Sequence, residues 1–175
     1  MLRHIWAGVA LAVLATGASA DDKHEHKDGP KNPALEKLKK LAGEWVATDD
    51  QGKEQLVSVF KVTAAGSAVH ETIFPGSPME MVSVYHLDGK DLLMTHYCAL
   101  GNQPRMKLDP KSKDNELKFV FAGGTNLDAA KDMHMHEGWI KIVDDDHIEW
   151  NWSAYDQGKP ADGHKVSMKL SRKKK

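Results

Sequence analysis

The run Ile148-Glu149-Trp150-Asn151-Trp152-Ser153-Ala154-Tyr155 alternates apolar and polar residues, then meets a turn at Asp156-Gln157-Gly158. Ile148, Trp150 and Trp152 fall on one face and Glu149 and Asn151 on the other. A period of two with one apolar face is the pattern of a half-buried strand. The same pattern recurs on both sides. Val166, Met168 and Leu170 oppose Lys165, Ser167 and Lys169; Leu117, Phe119 and Phe121 share a face, as do Leu56, Ser58, Phe60 and Val62.

Working outward, the spacing predicts ten strands: 44–48, 54–63, 67–74, 79–86, 91–98, 105–109, 115–122, 134–143, 147–155 and 164–171. Short turn sequences separate them, among them Asp50-Gln51-Gly52, Pro75-Gly76-Ser77-Pro78, Asp88-Gly89 and Asp109-Pro110. The one longer gap, Gly123 to Met133, is expected to be a mobile loop or a helical turn. No long helix interrupts the series, which argues against parallel βαβ units. One-sided strands need a closed surface to hide their edges. The expected fold is therefore all-β, a closed antiparallel up-and-down β-barrel of about ten strands. A short helix precedes it: Pro33 suits a first turn, Leu35, Leu38 and Leu41 recur at helical spacing, and Gly43 suits the C-terminal cap.

The chain has 175 residues, and its start reads as a leader. Arg3 and His4 precede an apolar run from Ile5 to Ala15, and Ala18-Ser19-Ala20 supplies a small-x-small cleavage signal. The run is shorter than the roughly 20 apolar residues that span a bilayer. The expectation is a signal peptide over 1–20, a disordered polar segment over 21–32 and a barrel domain over 33–175, located in the periplasm or secreted, with no integral membrane segment after cleavage. Charge is nearly balanced, with 24 Lys and Arg against 25 Asp and Glu, so a nucleic-acid partner is not expected. Cys98 is the only cysteine; no internal disulfide can form, and burial is the expected fate of its thiol.

Leu41-Ala42-Gly43-Glu44-Trp45, a helix end running into Gly-x-Trp at the first strand, resembles the calycin superfamily of lipocalins, fatty-acid-binding proteins and nitrobindin-like barrels. Ten strands are more similar to the fatty-acid-binding and nitrobindin types than to eight-stranded lipocalins. The resemblance implies that Trp45 closes one barrel end against a basic residue after the last strand, here Arg172. The chain also resembles exported bacterial proteins carrying the segment Thr95-His96-Tyr97-Cys98…Gly101-Asn102-Gln103-Pro104-Arg105-Met106, a likeness that implies no activity.

Two segments concentrate chemistry. In the first, His96, Tyr97, Asn102, Gln103 and Arg105 lie on a strand, turn and return strand, where a guanidinium and two amides can hold a carboxylate or another anion. In the second, His134 and His136 stand on one strand face about 7 Å apart at Cα. With His96 or His70 as a third ligand, and Glu71 or Glu137 orienting a ring, they can form a metal or haem site. Trp150 and Trp152 join other aromatic and methionine residues that suit an adaptable apolar cavity. The expected function is binding of a small apolar or amphipathic molecule inside the barrel, by His96, Tyr97, Asn102, Gln103, Arg105, His134, His136, Trp150 and Trp152. The alternatives are a metal- or haem-binding barrel on His96, His134 and His136, or a cavity isomerase or cyclase using histidines as acid and base. No catalytic triad spacing, phosphate loop or dinucleotide fingerprint is present.

Overall fold

The computed structural model describes residues 32–174. The leader at 1–20 and the polar segment, apart from Asn32, lie outside them. Helix α1 (Pro33–Lys40) is followed by ten strands: β1 (Gly43–Thr48), β2 (Glu54–Thr63), β3 (Ala68–Ile73), β4 (Met81–Asp88), β5 (Asp91–Tyr97), β6 (Gln103–Leu108), β7 (Glu116–Thr125), β8 (His134–Ile142), β9 (His147–Asp156) and β10 (Lys159–Arg172). Every neighbour is antiparallel, and the order β1-β10-β9-β8-β7-β6-β5-β4-β3-β2 closes on itself. The closed antiparallel barrel of ten strands with one short helix is as the alternation implies.

The strand bounds shift by a residue or two in most places, and the largest differences fall at β10 and β7. β10 starts at Lys159, directly after the turn at Gln157 and Gly158, and reaches the expected stretch through an irregularity between Pro160 and Lys165. β7 runs on to Thr125, so the gap before β8 is shorter than the composition suggests. Gly123 and Gly124 hid that extension.

Asn32 caps α1 by accepting from the amides of Ala34 and Leu35, at 2.9 and 3.2 Å. Leu35, Leu38 and Leu41 are buried against one end of the barrel. Gly43 is not the helix cap; Leu41 holds that place. Gly43 opens β1 with φ at 135°, and a Cβ there would stand 3.0 Å from Arg172 Nη1. The glycine is needed so that Arg172 can pass. The guanidinium lies 4.5 Å over the Trp45 ring, and its Nη1 and Nη2 donate to the carbonyls of Ala42 and Lys40 at 2.8 and 3.1 Å. Trp45 Nε1 donates to Leu41 O at 2.8 Å. One cation thus satisfies the carbonyls left free at the helix end and stacks on the tryptophan that plugs the barrel.

Closure itself is brief. β1 and β10 pair only at Trp45–Arg172 and Val46–Ser171, next to the helix. Toward the opposite end, β10 is paired along one side by β9. Val166 stands opposite Trp152 on the inward face, yet it is 37% exposed. Among the described residues, the wall is thinnest between β10 and β1.

Candidate functional site

Strand register decides which side chains meet inside. Phe60 pairs with Glu71, Glu71 with Ser83, and Ser83 with His96, so β2 to β5 each send one of these residues to the same side. Ser58 and Tyr85 are on that side, two residues from Phe60 and Ser83. Trp150 and Trp152 come from β9, across the barrel, with Gly138 of β8 opposite Trp152.

The central feature is a buried carboxylate. Glu71 has no exposed surface. Its Oε1 accepts from Ser58 Oγ at 2.7 Å and Trp150 Nε1 at 3.0 Å, and its Oε2 accepts from the Tyr85 hydroxyl at 2.6 Å. Burial raises its pKa above the ordinary carboxylate range, and the three donors pull it back down. Burial, reinforced by the Glu71 charge, holds the Tyr85 hydroxyl protonated well above the usual tyrosine value. A buried charge without partners is strongly unfavourable, so the donors are what permit a glutamate here.

His96 forms a buried pair with Ser83. Ser83 Oγ lies 3.0 Å from His96 Nδ1. Burial lowers the His96 pKa to about 4, so the ring is neutral at pH 7. Its face packs against Trp152, ring centroids 4.8 Å apart.

Among the described residues, two buried side-chain polar atoms lack a partner: Trp152 Nε1 and Asn102 Oδ1. The Asn102 amide is 5% exposed, and its orientation is fixed because Nδ2 donates to Met133 O at 2.9 Å. Asn102 O accepts from Cys98 N, placing it across the β5–β6 hairpin from Cys98, two residues beyond His96. Such orphaned groups are uncommon in folded chains. Tyr85, Met94, Phe119, Gly138, Trp150 and Trp152 are among the residues lining a cavity of about 10 Å³, room for about one water. Around that cavity, tryptophan, tyrosine, phenylalanine and methionine side chains take up the space.

The remaining expected site residues separate. Tyr97 and Arg105 point outward: Tyr97 is 51% exposed, and Arg105 pairs with Thr95 on the outer face. Alternation sends Asn102, Pro104 and Met106 inward and Arg105 out, so the expected anion clamp of arginine and amides does not form. Gln103 is half-buried; it donates to Gly101 O at 3.0 Å and accepts from Thr125 Oγ1 at 2.9 Å, tying two loops together. Cys98 is partly rather than fully buried.

His134 and His136 do meet. The register shifts between Met135 and Glu137, leaving His136 as the extra residue of a bulge. His134 Nδ1 donates to Asp132 O at 2.8 Å, so its bare Nε2 accepts from His136 Nδ1 at 3.1 Å. The His136 ring lies between Tyr155, at 3.6 Å, and Phe121, at 4.9 Å. Burial, and then the neighbouring His134, lower its pKa, with Glu137 opposing. His96 belongs instead to the Ser83 chain. Among the described residues no three His, Cys, Asp or Glu side chains converge as metal ligands, so the three-histidine site is not assembled.

Sequence reasoning missed Ser58, Ser83 and Tyr85 as site residues and gave Glu71 only an accessory part. One signal was available: Val69, Glu71 and Ile73 share a strand face, putting an acid on an otherwise apolar side. No family model matches the chain, and no curated protein matches it in sequence.

Proposed function

We propose that this is an exported barrel of the calycin class that holds a small, partly apolar ligand in the half of its interior farthest from α1. The observation that carries this reading is the pair of buried, unpartnered polar atoms, Trp152 Nε1 and Asn102 Oδ1. A donor and an acceptor kept from water, each without a protein partner, are stabilised when a molecule supplies the complementary groups. The aromatic and methionine lining offers that molecule its apolar contacts. The brief β1–β10 seam beside the exposed Val166 gives it a way in. The calycin assignment is supported by the helix before Gly43-Glu44-Trp45 and by Arg172 stacked on Trp45. Export is supported by the basic, apolar and small-residue order of the first 20 residues.

Native mass spectrometry of freshly purified protein tests the reading. The expected result is a substoichiometric or full adduct of one small mass, reduced in an Asn102→Ala variant. A bare chain that also takes up no small molecule on incubation with an extract of its host's small metabolites contradicts it.

A further inference from the structure

Phe74 holds a backbone conformation that its own sequence opposes. Its φ is 51°, in the left-handed region, where Cβ crowds the backbone of every residue but glycine. The other non-glycine residues with positive φ among those described are Ala64, Ala65, Asn126 and Gln157, all small or polar; Phe74 alone is aromatic. Pro75 adds to the strain, because a residue before proline favours the extended region. Such strain persists only where the surroundings hold it.

The strained turn carries the ring inward. Val69, Glu71 and Ile73 of β3 are buried on the inner face, and Thr72 alternates with them. An extended residue 74 would follow Thr72 outward. The left-handed backbone instead sets the half-buried ring edge-on to Trp150, centroids 6.2 Å apart. β3 and β9 are not neighbours; β2, β1 and β10 lie between them on the shorter way round. The Phe74–Trp150 contact thus spans the stretch of wall that contains the brief β1–β10 seam.

The segment after Phe74 is built to move as one piece. Gly76 N donates to Glu80 Oε2 at 2.6 Å, Ser77 N to Phe74 O at 3.1 Å and Met79 N to Ser77 Oγ at 3.1 Å. Pro75 and Pro78 stiffen it further. Phe74 N donates to Val57 O of β2 at 2.7 Å, and Met79 is 55% exposed. The cavity that Trp150 lines has room for about one water, so a ligand needs a side chain to withdraw. Withdrawal of Phe74 relieves backbone strain.

We propose that Phe74 is a gate: with residue 74 left-handed its ring closes the interior over Trp150, and with residue 74 extended the ring swings to solvent and opens the way in. The ring contact favours the closed state and the backbone favours the open one. The inference rests on the ligand-binding reading above and concerns how that site is entered.

Glycine and alanine at position 74 test the conformation, because glycine takes positive φ freely and alanine does not. Phe74→Gly is expected to unfold at a higher urea concentration than Phe74→Ala; equal midpoints or the reverse order overturn the inference. NMR relaxation dispersion of the free wild-type chain needs no variant. The Phe74 amide and the Trp150 indole should share one exchange process on the microsecond-to-millisecond scale, with extended carbon shifts for Phe74 in the minor state. Flat profiles at both, or a minor state still left-handed, overturn it. Phenol, a small aromatic probe, tests entry by stopped-flow tryptophan fluorescence. Phe74→Gly, with no ring to withdraw, should associate with phenol at least about fivefold faster than the wild type. Equal association rates overturn the gate and leave the binding reading standing. Saturable binding by neither protein of phenol, benzamide or benzyl alcohol defeats the binding reading, and the gate with it.

Discussion

Glu71 is the residue on which the interior depends. Truncating it leaves Ser58, Tyr85 and Trp150 as buried donors without an acceptor and opens a hole. Glu71→Ala is expected to destabilise the chain by roughly 3–5 kcal/mol in urea unfolding. His96 gives a pH signature. Its folded pKa of about 4 lies below the 6.5 of the unfolded chain, so the unfolded state binds the proton first as pH falls. Its contribution is full above pH 6.5 and is lost as pH drops toward 4, on the order of 3 kcal/mol in total. Glu71 acts with the opposite sign: its raised pKa favours the folded state at low pH, and that part is lost as pH rises through the folded value. The difference between wild type and His96→Gln isolates the histidine. Urea midpoints from pH 7 to 4.5 should fall more steeply in the wild type than in the variant; parallel curves would contradict a buried neutral His96.

At the scale of elements, two glycines on neighbouring strands should respond oppositely. A Cβ at Gly138 of β8 would meet Met94 and Trp152 at 3.8 and 3.9 Å, ordinary contact at the edge of the small cavity. Gly138→Ala is expected to be neutral or to stabilise by about 0.5–1 kcal/mol. At Gly124 of β7 the added carbon would fall 2.8 Å from Leu127 and 3.0 Å from the backbone oxygen of Gln103. Gly124→Ala should destabilise by about 1–3 kcal/mol in thermal or urea unfolding. β10 invites a different test. Its long stretch toward the far end, paired by β9 but not by β1, carries Pro160, Lys165 and Lys169, residues that discourage pairing with another strand edge. Replacing Lys165 and Lys169 together by valine should produce concentration-dependent association in sedimentation velocity.

For the whole molecule, the sequence carries the barrel because strand period and apolar face coincide in β2, β7, β9 and β10, and because short turns permit little beyond neighbouring antiparallel pairs. The polar interior was harder to read. In β4 the inward residues Met81, Ser83, Tyr85 and Leu87 alternate with outward Val82 and Val84, so hydrophobicity alone does not choose the face. Only register, fixed by neighbours far away in sequence, aligns Ser58, Glu71, Ser83 and His96. In the same way the Asn102-to-Arg105 segment carries site-like residue types, but alternation divides them between the two faces. The central claim is that a ligand completes the unpartnered half of this interior. The indole N–H signals of the buried tryptophans report on it directly. Trp45 and Trp150 already donate to Leu41 and Glu71, whereas Trp152 has no partner. On adding saturating phenol, the Trp152 indole signal should shift and become protected from hydrogen exchange, with those of Trp45 and Trp150 nearly unmoved. A Trp152 signal indifferent to phenol and to every neutral donor compound tried, or already protected in the free chain, would contradict the account.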